Sequence, residues 1–186
     1  MYSRKKLIKI SLVIVVFAVI IGYIMWPGTF GEVPPPPPEG KEPFTALVIG
    51  VANGDTLTIL NKNNQQVPIR LFGVEAPKRR QPYGILARDT VREWIYMKNV
   101  LITPVDKDEY GRTSVLITME KGNFVQDKLV REGLAWVRED MCQAIICIEW
   151  KRDMEFAKEA RKGLWADENP MPPWLFQKHV IEQQPW

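Results

Sequence analysis

The stretch from Phe44 to Phe72 constrains the fold of this chain more than any other. Thr56-Leu57-Thr58-Ile59-Leu60 alternates threonine with aliphatic residues, the period-two mark of a strand with one buried face. Phe44 to Ala52 before it has an apolar bias, and Asn53-Gly54-Asp55 between the two is a turn signal. Asn61-Lys62-Asn63-Asn64 marks a second turn, and Val67 to Phe72 reads as a third strand. Strands joined by turns this short form a meander.

The rest of the soluble part alternates helix and strand signals. Ala87, Val91, Trp94 and Ile95 fall on one face at helical spacing, so Gly84 to Met97 reads as a helix. Val100 to Val105 and Thr113 to Met119 are two more strands, turned by Tyr110-Gly111. Val125 to Glu132 is a short helix stopped by Gly133. Trp150 to Lys162 is a longer one with Trp150, Met154, Ala157 and Arg161 along one side, ended by Gly163. Five short strands with about three helices inserted and appended indicate a β+α protein built on a small Greek-key barrel of the OB type. There is no internal repeat. Trp94, Trp136, Trp150 and Trp165 read as packing residues rather than base-stacking platforms.

The 186 residues divide into a basic tip and apolar segment over 1–26, a proline-rich linker over 27–42, one folded domain over 43–178 and a tail over 179–186. Leu7 to Met25 is interrupted only by Lys9, Ser11, Gly22 and Tyr23. A helix of roughly 20 such residues spans a bilayer core. Arg4, Lys5, Lys6 and Lys9 lie at its N-terminal end, and no acidic residue precedes Glu32. That asymmetry keeps the N-terminus in the cytoplasm and sends the domain outward, as a single-pass membrane protein held through residues 7–25. A cleaved signal peptide is the competing reading, although Ile21-Gly22-Tyr23-Ile24-Met25-Trp26-Pro27 offers no small-x-small cleavage site. Pro34 to Pro38 form a stiff extended spacer. Without the four N-terminal cations, 21 basic residues face 22 acidic ones, so the net charge of +3 reports the targeting head and not a nucleic-acid surface.

Cys142 and Cys147 are close enough to bridge if the backbone turns between them, whereas a regular helix would hold them too far apart. An extracytoplasmic location permits the bond. Two cysteines with His179 alone argue against zinc.

The chemistry-bearing residues cluster in two segments. Asp55 and Glu75 are carboxylates on strand or turn positions, and Arg70 and Arg112 are arginines near them in the meander and after Tyr110-Gly111. Carboxylate oxygens suit a hard cation, and guanidinium forks suit phosphate oxygens. Taken singly, Asp55 is a turn-capping aspartate and Arg112 a solvated hairpin residue. Together they describe a site for a hard cation and a phosphodiester.

These residues sit within motifs that resemble the thermonuclease, or staphylococcal nuclease-like, family. The resemblance runs from about Phe44 to Lys178. It is carried by Asn53-Gly54-Asp55-Thr56, Arg70-Leu71-Phe72-Gly73-Val74-Glu75-Ala76-Pro77, Gln81-Pro82-Tyr83-Gly84, Tyr110-Gly111-Arg112, Leu129-Val130-Arg131-Glu132-Gly133-Leu134-Ala135 and Gly163-Leu164-Trp165-Ala166-Asp167. Any one of them is weak; their order and spacing are specific. The resemblance implies an OB barrel that hydrolyses DNA or RNA phosphodiesters with calcium. Asp55, Glu75 and the Ala76 carbonyl would hold the ion, and Arg70 and Arg112 would grip the phosphate. Arg79, Arg80 and Tyr110 are further contact candidates, and no protein partner is implied.

Three positions depart from the family pattern. Asn53 stands where the family has aspartate, and Glu75 is one methylene longer than the usual aspartate. Lys78 stands where the family places the glutamate that acts as general base. A lysine is protonated at neutral pH and cannot take a proton from water, and losing a general base costs about 10²- to 10⁴-fold in rate. The first expectation is therefore an anchored nuclease, impaired by Lys78. The alternative is an inactive barrel that binds nucleic acid or another polyanion at the cell envelope, and a third is a purely structural barrel.

Overall fold

The computed structural model describes residues 42–108, 110–119 and 122–182. In chain order its elements are β1 (Phe44–Asn53), β2 (Thr56–Leu60), β3 (Gln66–Leu71), β4 (Val74–Glu75), α1 (Gly84–Ile95), β5 (Asn99–Lys107), β6 (Thr113–Thr118), α2 (Val125–Arg131), β7 (Trp136–Val137), α3 (Ile146–Glu159), a 3₁₀ turn (Gly163–Ala166) and α4 (Pro173–Glu182). The expected membrane segment and proline linker lie outside the described residues. Among the described residues no helix is long and apolar enough to cross a membrane.

Five strands close into a barrel in the order β1-β2-β3-β6-β5, with β5 returning to β1. All neighbours are antiparallel except β3 and β6, which run parallel. This is the five-stranded barrel that the alternation implies. Its interior is filled by the aliphatic half of each alternating pattern: Val48, Leu57, Ile59, Ile69, Leu71, Ile102, Val115 and Ile117 are all buried. β1 serves two neighbours, and register shifts at Val48/Gly50 and Val51/Asn53 bend it around the curve.

The helices cover the barrel from outside. α1 buries Ala87, Val91 and Ile95 against β1. Gln126 ties α2 to the barrel: its Nε2 donates to the Val115 carbonyl at 2.8 Å, and its Oε1 accepts from the Ile117 N–H at 3.4 Å. α3 turns Cys147, Trp150, Met154 and Ala157 inward and packs on α2 and β7. Trp136, Trp150 and Trp165 are buried, and the half-buried Trp94 has the Lys128 ammonium 4.0 Å from its ring centre. The four tryptophans serve as packing groups.

Two differences from the sequence reading have physical causes. α3 begins at Ile146, a turn before Trp150, because a disulfide between Cys142 and Cys147 draws the preceding loop onto the helix start. α4 is a further helix that the sequence reading did not name; the Leu175 and Phe176 N–H groups both find the Pro172 carbonyl, which starts it. The two-residue strands β4 and β7 are too short for any periodicity to show.

Candidate functional site

β3 ends at the site. Thr56, Arg70 and Ser114 are opposed across β2, β3 and β6, so the three side chains form a row on one face of the sheet. Ile69 and Leu71 on either side of Arg70 point into the barrel, which puts Arg70 on the outer face beside the β1–β2 turn. Asp55 ends that turn. Its carbonyl accepts from the Leu71 N–H at 2.9 Å, so the turn is laced to the end of β3.

Asp55 is fully buried. Its Oδ1 accepts from the Thr56 hydroxyl at 3.0 Å and its Oδ2 from the Ala76 N–H at 3.3 Å. Glu75 is also buried, on the short strand β4. The two carboxylates share two cations. Arg70 Nη2 lies 3.3 Å from Glu75 Oε1 and 3.7 Å from Asp55 Oδ2. Lys78 Nζ lies 3.0 Å from the same glutamate oxygen and 3.6 Å from the same aspartate oxygen.

A third cation closes on Glu75 from behind. β4 pairs with β7, Glu75 opposite Trp136, and the chain leaves β7 at Arg138. The Arg138 N–H donates to the Gly73 carbonyl at 2.9 Å, and its Nη1 reaches Glu75 Oε2 at 2.6 Å. Asp140 holds the other edge of the guanidinium, Nε to Oδ1 at 2.8 Å. Burial disfavours the Glu75 carboxylate, but the charge and hydrogen bond of Lys78, the hydrogen bond of Arg138 and the charge of Arg70 outweigh it and hold the carboxyl below the ordinary glutamate range.

Lys78 is set by a tight turn. Its N–H donates to Gln81 Oε1 at 3.1 Å, and its carbonyl accepts from the Gln81 N–H at 2.8 Å. The side chain of Gln81 in turn bonds the Met171 carbonyl. Gly84 at the start of α1 lies directly against the Lys78 carbonyl, where a Cβ would collide with it. The motif from Gln81 to Gly84 thus fixes where Lys78 starts.

Of the residues singled out in the sequence, Asp55, Arg70, Glu75, Ala76 and Lys78 come together. Arg112 stands apart from their ion pairs. It immediately precedes β6, two residues before the Ser114 that pairs with Arg70. Its Nε bonds Asp108 Oδ2 at 2.7 Å, and its guanidinium sits 5.2 Å from the Tyr110 ring centre. Asp108 also accepts the N–H groups of Tyr110 and Arg112, each at 2.9 Å, which shapes the turn. Arg79, Arg80 and Tyr110 are exposed. Arg138 and Asp140 were missed by the sequence reading, because the pairing of β4 with β7 that delivers them leaves no local signal.

The family model described as staphylococcal nuclease homologue matches residues 68–167, over half of the chain. The chain belongs to the staphylococcal nuclease homologue family. Among its relatives, an "Uncharacterized endonuclease" of Haemophilus influenzae is 32% identical over 142 residues, covering 75% of this chain and 78% of that protein. "Protein ParB" of Escherichia coli is 30% identical over 139 residues, covering 70% of this chain and 77% of its own length. A "Micrococcal nuclease" of Shigella flexneri is 27% identical over 143 residues, covering 73% and 81%.

The resemblance to the nuclease family implies a calcium ion at these carboxylates. Calcium takes six to eight oxygen ligands at about 2.3–2.6 Å. Here the two carboxylate oxygens that converge, Asp55 Oδ2 and Glu75 Oε1, already face Lys78 and Arg70. No group of three or more His, Cys, Asp or Glu side chains suited to a metal occurs among the described residues. As arranged, these residues do not fit an added divalent ion: it would share its ligands with two cations and crowd the ammonium of Lys78.

Proposed function

We propose that this domain engages nucleic-acid phosphodiesters, DNA or RNA, at the Arg70–Arg112 side of the barrel, and that its hydrolysis of them is slow. The family supports the substrate class, and the observation that carries the rest is Lys78 Nζ, ion-paired to both Asp55 and Glu75. The guanidinium of Arg112, together with exposed Arg79 and Arg80, would meet phosphate oxygens as forked donors. Arg70, held by the two carboxylates, would neutralise charge on the phosphate from beneath. Among the described residues of the site, Asp55 and Glu75 are turned to cations, and Lys78 occupies the base position.

Binding without cutting is the second reading, and the same ion pairs favour it. The two separate in one experiment. A labelled single-stranded oligonucleotide is incubated with the parent chain, with Lys78→Glu and with Arg112→Ala. Binding by the parent with little cleavage, and a gain of about 10²- to 10⁴-fold in cleavage with Lys78→Glu, is the expected result. Rapid cleavage by the parent would refute the slow-enzyme reading, and absence of both binding and cleavage in every variant would leave a structural barrel.

The apolar run over residues 7–25 and the cysteine bridge Cys142–Cys147 support an anchored domain facing an oxidising compartment. Digestion of the domain by protease added to spheroplasts, with a cytoplasmic marker protein left intact, would test that placement, and survival of the domain until the cytoplasmic membrane is broken would refute it.

A further inference from the structure

We propose that Lys78 is the resident cation of this site: its ammonium does the charge-balancing work that a divalent ion would do between Asp55 and Glu75, so the site takes a phosphodiester without metal. The inference rests on the reading of this site as a phosphodiester site.

The geometry is that of an internal counter-ion. Lys78 Nζ reaches across to two carboxylates that are 0% and 2% exposed, while its own side chain keeps 16%. A solvated lysine would hold its ammonium in water and leave the acids to find other partners. Here two buried carboxylates need cationic company, because isolated charges at such depth are strongly disfavoured. Arg70 supplies one positive charge and Lys78 the second. Arg138 adds a third to Glu75, but its charge is divided with Asp140. Asp55 and Glu75 are therefore matched by Arg70 and Lys78, and a divalent ion would bring two uncompensated charges into a buried cluster.

The backbone shows that the placement is built in. The turn that carries Lys78 is closed by Gln81 on both its N–H and its carbonyl, and Gln81 is itself pinned to the Met171 carbonyl. The lysine stem thus starts from a turn closed at both its N–H and its carbonyl. An acidic side chain from the same turn would bring a third carboxylate to Asp55 Oδ2 and Glu75 Oε1. Such a set, with Arg70 alone against it, has the hard-oxygen character that calcium requires. One side chain separates the two states.

The test uses the full chain in detergent micelles and reads thermal unfolding in EDTA and in a calcium chloride series. The parent is expected to show no saturable change in Tm. Lys78→Glu, and Lys78→Ala in case the glutamate variant fails to fold, are expected to gain a saturable calcium-dependent rise of about 5 °C or more, absent when Asp55→Asn is added. A saturable calcium shift in the parent, lost with Asp55→Asn, would overturn the proposal, as would failure of both Lys78 variants to respond. Oligonucleotide binding by the parent is measured in the same EDTA and calcium buffers. Equal affinity in both is expected, and affinity that requires calcium would also overturn it. If the parent binds no oligonucleotide while the Lys78 variants bind calcium, the substrate reading fails and the cation exchange stands.

Discussion

Arg138 and Glu75 are 63 residues apart in sequence and 2.6 Å apart in space, Nη1 to Oε2. This contact decides how Glu75 is presented. With Oε2 taken from behind by Arg138, only Oε1 faces Lys78 and Arg70. Removing the guanidinium leaves a buried carboxylate with one oxygen unpartnered. Arg138→Ala is expected to lower unfolding free energy by about 3 kcal/mol with an unchanged denaturant slope. Arg138→Lys, which cannot span Glu75 and Asp140 together, should recover part of it. A loss below about 0.5 kcal/mol in chemical denaturation would show that Glu75 is held without Arg138.

Acid should reach the same cluster. Glu75 titrates below the ordinary glutamate value of about 4.3, because its three cations outweigh burial. A carboxyl with a depressed folded-state pKa contributes stability that is complete above its unfolded value and lost as pH falls through its folded one. Tm should therefore fall as pH drops below about 4.3. Asp108, opposed by burial but held by Arg112 and by two backbone N–H groups, contributes in the same direction. Glu75→Gln isolates the first group: its Tm should be lower than the parent's at pH 7, and the gap should narrow towards pH 3. A gap of constant size across that range would mean that Glu75 ionises alike in folded and unfolded chains.

Arg112 should matter for binding and little for folding. It is about one-quarter exposed and pairs with Asp108 within its own turn. Arg112→Ala is expected to change stability by less than about 1 kcal/mol. Oligonucleotide affinity should fall at every sequence alike, and the slope of log affinity against log salt should flatten by about 0.7, one phosphate contact on a single strand. An unchanged slope would remove Arg112 from the interface.

The disulfide supports the site from below. Cys142 and Cys147 are buried, and the Cys142 N–H donates to the Arg138 carbonyl at 2.7 Å. Gly73, at φ +71°, lies against Cys142 and Trp150 where no Cβ fits, so the bridged loop lies against the residue that leads into β4. Closing so short a loop is worth about 2 kcal/mol in chain entropy. Cys142→Ala with Cys147→Ala should lower stability by at least that much and raise hydrogen exchange at Glu75 and Arg138. If exchange rose only within residues 142–147, the loop would be mechanically separate from the site.

How far the sequence led depended on the range of each interaction. Thr56 to Leu60 could be read as a strand because alternation is a property of neighbours, and the pairing of Leu57 with Ile69 followed from a short turn. Asp55, Arg70, Glu75 and Lys78 could be grouped because all lie within 24 residues on one meander and its exit loop. Their roles could not be read. A lysine at position 78 is compatible with a solvated loop, a phosphate clamp or an internal ion pair, and only the turn closed by Gln81 sends its ammonium between two buried acids. Arg138 was out of reach altogether, since two-residue strands carry no period and β4 pairs with β7 across a long stretch of intervening chain. The sequence by itself determined which segments become strands and helices and which charged residues lie near one another. The tertiary structure decided which charges face each other in the dry interior, because that depends on distances of a few ångströms between elements far apart in the chain.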